Sequence, residues 1–106
     1  MSKKITLKVP VNMVVRDRDV YLLAAVERLS NPRRRAARVP LSALAKELNA
    51  SPHTLRRAVS SCQKDGYLKV RQNFHSNGAQ LENSYALTST GAAIVEAARE
   101  EGLLAR

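Results

Sequence analysis

LSALAKELNASPHTLRRAVSSCQKDGYL, residues 41–68, is the segment that decides the fold of this chain. It predicts two short helices, a tight turn between them and the start of a strand. Apolar residues recur at spacings of three and four in both halves, which places them on one face of each helix. They are Leu41, Leu44, Ala45 and Leu48 in the first helix, and Leu55, Ala58 or Val59, and Cys62 in the second.

The residues at the helix ends support the same interpretation. Asn49 tolerates the left-handed backbone conformation that a sharp turn requires at the end of a helix. Ser51 is a good N-cap, and Pro52 suits the first position of the next helix. Gly66 provides the stop after the second helix. Two helices joined by a short turn are therefore expected.

This segment resembles the helix-turn-helix of DNA-binding proteins. Ala45 stands where the two helices would cross closely, Ala50 would be the buried residue inside the turn, and Leu55 would fix the second helix on the first. Asn49 stands where many members have glycine. The alternative is an αα-hairpin in another kind of small domain.

Charge points to a polyanionic partner. The 106-residue chain, long enough for one domain, has a net charge of +9 and a pI near 10.5. Residues 1–15 have three lysines (+3), residues 16–64 have eleven Lys or Arg against four Asp or Glu (+7), and residues 65–106 have four against five (−1). Positive charge is thus concentrated around the helix pair.

Several classes of protein are disfavoured by the composition. The one cysteine, Cys62, excludes an internal disulfide, and with His53 and His75 it lacks the spacing of metal ligands. Cys62 is interpreted as a small core residue, with a redox sensor as the minor alternative. No run of about eighteen apolar residues could span a membrane. We expect a cytoplasmic, nucleoid-associated protein without metal or cofactor, and no motif indicates an enzyme.

The N-terminal residues predict an extended arm over residues 1–15, ahead of a domain over residues 16–106. Ile5, Leu7, Val9 and Val11 alternate with polar residues, as in a strand, and Pro10 suits an edge strand or an irregular arm. Such an arm needs a partner surface. That surface is either the body of its own subunit or a second subunit.

A helix over Arg18–Ser30 should follow, with Asp17 or Asp19 as its cap and Leu22, Leu23, Val26 and Leu29 on its apolar face. Asn31-Pro32 ends it. The basic run after it is either a solvated loop or a clamp for DNA phosphates. Its members are Arg33, Arg34, Arg35 and Arg38. Val39 is expected in a very short strand.

A β-hairpin should follow the helix pair. Leu68 and Val70 alternate with Lys69 and Arg71, the run His75-Ser76-Asn77-Gly78 is typical of a turn, and a return strand is expected at about Leu81–Leu87. Helix, turn, helix and hairpin in this order are typical of a winged helix.

The segment YALTSTG, residues 85–91, strengthens that resemblance. Many winged-helix transcription regulators close the wing with a similar aromatic-x-Leu-Thr-x-x-Gly segment. Thr88 would cap the last helix, and Gly91 would let it start close to its neighbours. The resemblance covers about residues 17–101. It implies a mainly α fold with a small β-hairpin (α+β), an N-terminal arm and a C-terminal helix.

The last helix, about Ser89–Glu101, has an acidic face that phosphates would repel, so it should lie away from DNA. Its apolar side either packs on the domain or forms a dimer seam, since Leu103 and Leu104 follow with no obvious cover. The candidate dimer residues are Ile5, Leu7 and Val9 of the arm with Ile94, Val95, Ala98, Leu103 and Leu104.

The second helix of the pair should enter the major groove. Arg56 and Arg57 diverge by about a hundred degrees on a helix, so one should read a base and the other should hold phosphate. We expect His53 and Arg56 to contact bases, and we include Ser60 and, at the groove edge, Arg57 among the candidates for base readout. We expect backbone contacts from Ser51, Thr54, Lys64, Lys69, Arg71 and His75, together with the arginines that precede the helix pair.

Double-stranded DNA is the expected ligand, because Tyr67, Phe74 and Tyr85 look like packing residues rather than platforms for single strands. The sequence predicts a small transcriptional regulator, most directly a repressor, acting as a homodimer. The alternative is a plasmid or phage DNA-binding factor for partition, replication or nucleoprotein assembly. A winged helix used as a protein-interaction module is less favoured, since that role does not require paired arginines.

Overall fold

The computed structural model describes residues 3–9, 11–33 and 35–104, which form four helices and five strands. In chain order these are β1 (Lys4–Lys8), β2 (Asn12–Arg16), α1 (Asp17–Leu29), β3 (Ala37–Arg38), α2 (Leu41–Leu48), α3 (Pro52–Lys64), β4 (Leu68–Phe74), β5 (Gln80–Leu87) and α4 (Ser89–Glu100). β1 and β2 pair in one sheet, and a second sheet has the order β3-β5-β4. The α+β winged helix predicted from the sequence is confirmed.

The α2–turn–α3 unit forms for the reasons that its sequence suggested. Asn49 has φ 50° and ψ 45°, in the left-handed region. The Ser51 hydroxyl accepts a hydrogen bond from the Thr54 backbone N–H at 3.1 Å and so caps α3. Gly66, at φ +80°, ends the helix. Ala50 is only partly buried in the turn.

The core lies around α1, which contacts each of the other three helices. Leu22 and Leu23 of α1 are fully buried, as is Leu44 of α2. Burying a side chain of this kind contributes about 1.5–3 kcal/mol each. Cys62 of α3 is also fully buried, and burial raises the pKa of its thiol. It is therefore a small core residue, as expected, and not a reactive thiolate.

The wing consists of β4, β5 and the turn between them. Its inner face carries Val70 opposite Tyr85, and β3 extends this row by pairing Ala37 with Tyr85. Gly78, at φ +89°, makes the turn possible. Two expectations were wrong here. Phe74 is 57% exposed because it lies at the end of β4, beyond the core, and β3 contains Ala37–Arg38 rather than Val39.

The start of α4 is fixed against the junction of α3 and β4. Thr88 Oγ1 accepts a hydrogen bond from the Gly91 N–H at 3.0 Å and donates one to the Gly66 carbonyl at 2.6 Å. A Cβ atom on Gly91 would lie 2.1 Å from the Tyr67 carbonyl oxygen. The cap and the close approach predicted at these two residues are both confirmed.

The N-terminal segment is a hairpin rather than a single strand. β1 and β2 pair with Leu7 opposite Met13, and buried Leu7 and Val15 join the core of the same chain. This packing on its own body was one of the two partner surfaces left open. Pro10, expected in an irregular arm, lies outside the described residues.

The predicted cap of the first helix was wrong. The helix begins at Asp17, so Arg16 occupies the N-cap position. The Asp17 carboxylate instead accepts hydrogen bonds from the backbone N–H groups of Lys3 at 2.8 Å and Arg18 at 2.7 Å. Asp19 is buried, 3% exposed, and faces α3.

Candidate nucleic-acid interface

α3 forms a ridge on the surface of the domain. Its inner side, with Leu55, Ala58 and Cys62, is buried in the core. Its outer side presents the predicted base-reading residues to solvent, and all four are exposed: His53, Arg56, Arg57 and Ser60. The apolar stripe of α3 therefore determines which polar residues can reach a partner.

On one side of the ridge lies a cleft of about 860 Å³ between α3 and the wing, hereafter the wing cleft. Arg56, Ser60 and Gln63 line it from α3, and Arg71 and Gln72 line it from β4. Side chains of α3 and of the wing thus share one concave surface.

On the other side lies a cleft of about 570 Å³ between α3 and the N-terminal hairpin, hereafter the hairpin cleft. Arg57, Ser60 and Lys64 line it from α3, and Lys4 and Arg16 line it from the hairpin. Arg18, at the start of α1, also contributes to the lining.

The adjacent arginines of α3 serve different sides of the ridge. Arg56 lines only the wing cleft, Arg57 lines only the hairpin cleft, and Ser60 lines both. This is the divergence expected of neighbouring helical residues. A helix with cations on both flanks matches a DNA major groove, which has a phosphate backbone on each side.

The hydroxyl groups at the start of α3 are engaged with each other. Ser51 Oγ donates to Thr54 Oγ1 at 3.0 Å, in addition to accepting from the Thr54 N–H. Ser51 is thus the predicted cap. Contacts of Ser51 and Thr54 with phosphate remain predictions.

The other predicted backbone contacts divide into two groups. Arg38 and Arg71 both lie opposite Ser84 in the three-stranded sheet, so they flank it on one face. Lys69 is exposed on β4 and His75 is exposed in the wing turn. Contacts of these residues with a DNA backbone remain predictions.

Within the basic run before β3, Arg33 and Arg35 are not brought to the ridge. Arg35 lines a groove with Thr88, Ser89 and Ala92 at the start of α4, and neither Arg33 nor Arg35 lines either cleft beside α3. Arg34 lies outside the described residues. The lining of the two clefts therefore does not favour a phosphate clamp over a solvated loop as the role of these arginines.

Sequence reasoning missed Lys4, Arg16 and Arg18 as candidate site residues. Their signal was the excess of positive charge over residues 1–18, which include the start of α1. Assigning it to the site required the pairing of β1 with β2, which places Lys4 opposite Arg16. That contact is long-range and has no local sequence pattern.

Half of the predicted dimer residues are used within the protomer. Leu7, Ile94, Val95 and Ala98 are fully buried, because α4 packs on α1 and β1. They have no surface left for a second subunit, and this part of the prediction was wrong. Leu103 is 42% exposed, and the remaining three are partly buried: Ile5, Val9 and Leu104.

Within the described ranges, no helix is both long and apolar enough to cross a bilayer, and no group of three or more His, Cys, Asp or Glu could hold a metal ion.

Solved structures with a similar fold include transcription regulators and proposed DNA-binding proteins. A mutant of Staphylococcus aureus MepR bound to an oligodeoxyribonucleotide aligns with a TM-score of 0.62 at 13% identity, covering 81% of this chain and 56% of that chain. MepR is a transcription regulator of the multidrug efflux pump MepA. This chain thus spans little more than half the length of MepR.

Two further structures extend the comparison. A proposed DNA-binding protein from Ralstonia eutropha JMP134 aligns with a TM-score of 0.53 at 24% identity, covering 74% of this chain and 89% of that chain. A proposed transcriptional regulator from Methanosarcina mazei aligns with a TM-score of 0.53 at 16% identity, covering 83% and 71%. No protein-family model and no curated protein matches the sequence. The likeness establishes the winged helix-turn-helix fold.

Proposed function

We propose that this chain binds double-stranded DNA in a sequence-specific manner and acts as a small transcriptional regulator. The observation that carries the proposal is the position of Arg56 and Arg57, exposed on α3 and directed to clefts on either side of it. Solved structures with this fold include a transcription regulator bound to an oligodeoxyribonucleotide, which supports the same role.

The predicted contact residues of α3 and of the wing have separate roles in this proposal. His53 and Arg56 contact base edges, and a bidentate arginine contact suits guanine. Arg57 and Lys64 hold phosphate on the hairpin side. Arg71, Lys69 and His75 contact the backbone or the minor groove from the wing. Ser60, at the crest, approaches the groove floor.

Double-stranded DNA fits this surface better than a single strand. Single-strand binders stack bases on exposed aromatic side chains next to a basic groove. The two large aromatic side chains most exposed in the described part of the chain are Tyr21 and Phe74, and neither lines the wing cleft or the hairpin cleft. Tyr67 lines the hairpin cleft and Tyr85 lines the wing cleft, but Tyr67 is partly buried and Tyr85 is buried, so the clefts offer mainly cations and hydroxyls to a partner.

The active form in this proposal is a homodimer that represses transcription from a two-fold operator. The candidate interface is a groove lined by exposed Tyr21 and Leu103 and partly buried Ile5, with Lys3 and Asp17 beside them. Tyr21 is 48% exposed, and exposed apolar patches commonly mark interfaces.

Light scattering should give twice the chain mass for the wild type and less for Tyr21→Asp. A monomeric wild type at micromolar concentration would refute this part.

Binding-site selection tests the DNA-binding proposal. Purified protein is mixed with a random duplex library, and bound duplexes are sequenced over several rounds. We expect enrichment of a two-fold motif whose half-sites are about one helical turn apart. Enrichment of no motif would contradict sequence-specific binding.

The alternative is a plasmid or phage factor for partition, replication or nucleoprotein assembly. Footprinting on the source genome separates the two roles. One or two protected sites beside a promoter support the regulator, and a long array of tandem sites supports the alternative. A protein-interaction module would bind no duplex selectively.

The run of arginines before β3 remains a proposed phosphate contact. Replacing Arg33, Arg34 and Arg35 together with Gln should then weaken binding to all duplexes and reduce the salt dependence. If the salt dependence of duplex binding did not change, these arginines would be part of a solvated loop and would not contact phosphate.

A further inference from the structure

The hairpin cleft is the more strongly basic of the two clefts beside α3. Five cationic side chains line it, Lys4, Arg16, Arg18, Arg57 and Lys64, against the two carboxylates Asp19 and Asp65, a balance of +3. The wing cleft has Arg56 and Arg71 against Glu82, a balance of +1. The N-terminal hairpin therefore adds more positive charge beside α3 than the wing does.

One of the two carboxylates in the hairpin cleft is already engaged. Asp19 is 3% exposed, accepts a hydrogen bond from the Ser61 hydroxyl at 3.2 Å and pairs with Arg18 Nε at 3.3 Å. Among the salt bridges of the described residues, none includes Lys4, Arg16, Arg57 or Lys64. These four cations are available to an external anion.

The pairing of the hairpin brings two of those cations together. Lys4 lies directly opposite Arg16 in the antiparallel β1–β2 pair, and both side chains are exposed. Like charges directly opposite each other destabilise a sheet. An anion bound between them would relieve that repulsion, so the pair is better explained by a ligand than by stability.

The alternation of the hairpin directs this charge outward. Leu7 and Val15 point into the core, while Val14, on the opposite face, is 60% exposed and lines the hairpin cleft with Lys4 and Arg16. In the described part of the chain, no buried side-chain polar atom lacks a partner. Exposed cations line the cleft, which gives it the character of a surface for a polyanion.

We propose that the N-terminal hairpin acts as a second wing, holding the phosphate backbone on the side of α3 opposite to the β4–β5 wing. The inference rests on the proposed function, since it places α3 in a major groove. The two backbones that border the groove would then enter the two clefts. Lys4 and Arg16 contact phosphates without reading sequence.

The test compares two double variants with the same change in charge. Lys4→Gln/Arg16→Gln removes the pair that lines the hairpin cleft. Lys3→Gln/Lys8→Gln removes two cations of the same segment that do not line it. Both variants change exposed side chains, and urea unfolding verifies that each remains folded.

Binding is measured by fluorescence anisotropy on a labelled mixed-sequence duplex of about two helical turns, across a salt titration. For Lys4→Gln/Arg16→Gln, the slope of log K against log salt concentration should become shallower by about 1.8, as expected for two lost phosphate contacts. For Lys3→Gln/Lys8→Gln it should match the wild type. Equal slopes for both variants and the wild type would overturn the proposal.

A gain of binding gives an independent test that misfolding cannot imitate. Val14→Lys adds a cation to the hairpin cleft, next to Lys4 and Arg16. We expect tighter binding and a salt slope that is steeper by about 0.9. An unchanged slope would contradict a phosphate at this place.

Arg56→Ala, measured in the same assay on a selected duplex, separates the two proposals. If Arg56→Ala weakens binding while Lys4→Gln/Arg16→Gln does not, the hairpin proposal fails and DNA binding through α3 stands. If the wild type binds neither duplex, the proposed function itself fails.

Discussion

α3 and α4 have similar caps and similar buried stripes, but their exposed sides carry opposite charge. They contain 13 and 12 residues, and a hydroxyl side chain caps each of them, Ser51 for α3 and Thr88 for α4. Each buries an apolar stripe in the same core. On its exposed side α3 carries Arg56 and Arg57, whereas α4 carries acidic residues.

The charged groups of the two helices also differ in how they are used. Arg99 of α4 pairs with Glu27 of α1 at 2.5 Å and with Glu96 at 3.0 Å. Neither Arg56 nor Arg57 forms a salt bridge within the described residues. Capping and periodicity therefore determine that a helix forms, while unpaired surface charge determines which helix can meet a polyanion.

The largest expected effect comes from disrupting the close packing of the start of α4 against Tyr67. In Gly91→Ala the new Cβ would lie 2.1 Å from the Tyr67 carbonyl oxygen, a backbone atom that can move only if the junction of α3 and β4 moves. We expect a loss of about 3 kcal/mol in the free energy of unfolding, measured by urea denaturation. Ala93→Ser, on the exposed side of α4, is the control and should cost less than about 0.5 kcal/mol.

If Gly91→Ala lowered the free energy of unfolding no more than the control does, α4 would not be held in close contact with the Tyr67 carbonyl. Because the strain falls on the α3–β4 connection, DNA binding by Gly91→Ala should fall with the folded fraction. Full binding by a destabilised variant would show that α3 is positioned independently of α4.

The next comparison is between one arginine of each helix. Arg56→Ala should weaken binding to a selected duplex by about 1–3 kcal/mol and relax base preference at one position, while leaving the free energy of unfolding unchanged. Arg99→Ala should do the reverse, with a small loss of stability from the broken pair with Glu27 and unchanged DNA binding. Competition binding against substituted duplexes and urea denaturation measure the two effects. Similar DNA-binding losses in both variants would remove the functional distinction between α3 and α4.

The segments that the sequence predicted correctly depend on local chemistry. Asn49 in the left-handed region, Ser51 as a cap, Gly66 as a stop and Gly91 at a close approach all follow from the preferences of single residues. The apolar spacing of α2 and α3 identified which side of each helix is buried. Hence the exposed side of α3 and its polar residues could be predicted from the sequence alone.

The parts that were missed depend on contacts between distant residues. β2 was not expected, because Asn12–Arg16 has no clear signal until it pairs with β1. Burial of Ile94 and Val95 depends on how α4 meets α1 and β1, and an amphipathic pattern cannot tell a core from a dimer seam. Phe74 was assigned to packing by residue type, although its place at the wing end leaves it exposed.

The smallest expected effect concerns a carboxylate behind α3, in contrast to the exposed ones of α4. Burial raises the pKa of Asp19 from its usual 3.8, although Arg18 and the Ser61 hydrogen bond oppose the shift. From pH 3.8 up to the raised pKa, the folded state keeps a proton that the unfolded state releases. The contribution of Asp19 to the free energy of unfolding therefore falls as pH rises through that window.

Asp19→Asn removes the titration but retains an oxygen that can accept from Ser61. The difference in the free energy of unfolding, wild type minus Asp19→Asn, should decrease as pH rises above 3.8, by at most about 1.4 kcal/mol per pH unit for one proton. Urea denaturation at a series of pH values measures it, with Asp65→Asn as the control at the exposed end of α3. A difference that rises with pH would mean that the pair with Arg18 outweighs burial, and Asp19 would then be a favourable link between α1 and α3 rather than a cost of placing the helix there.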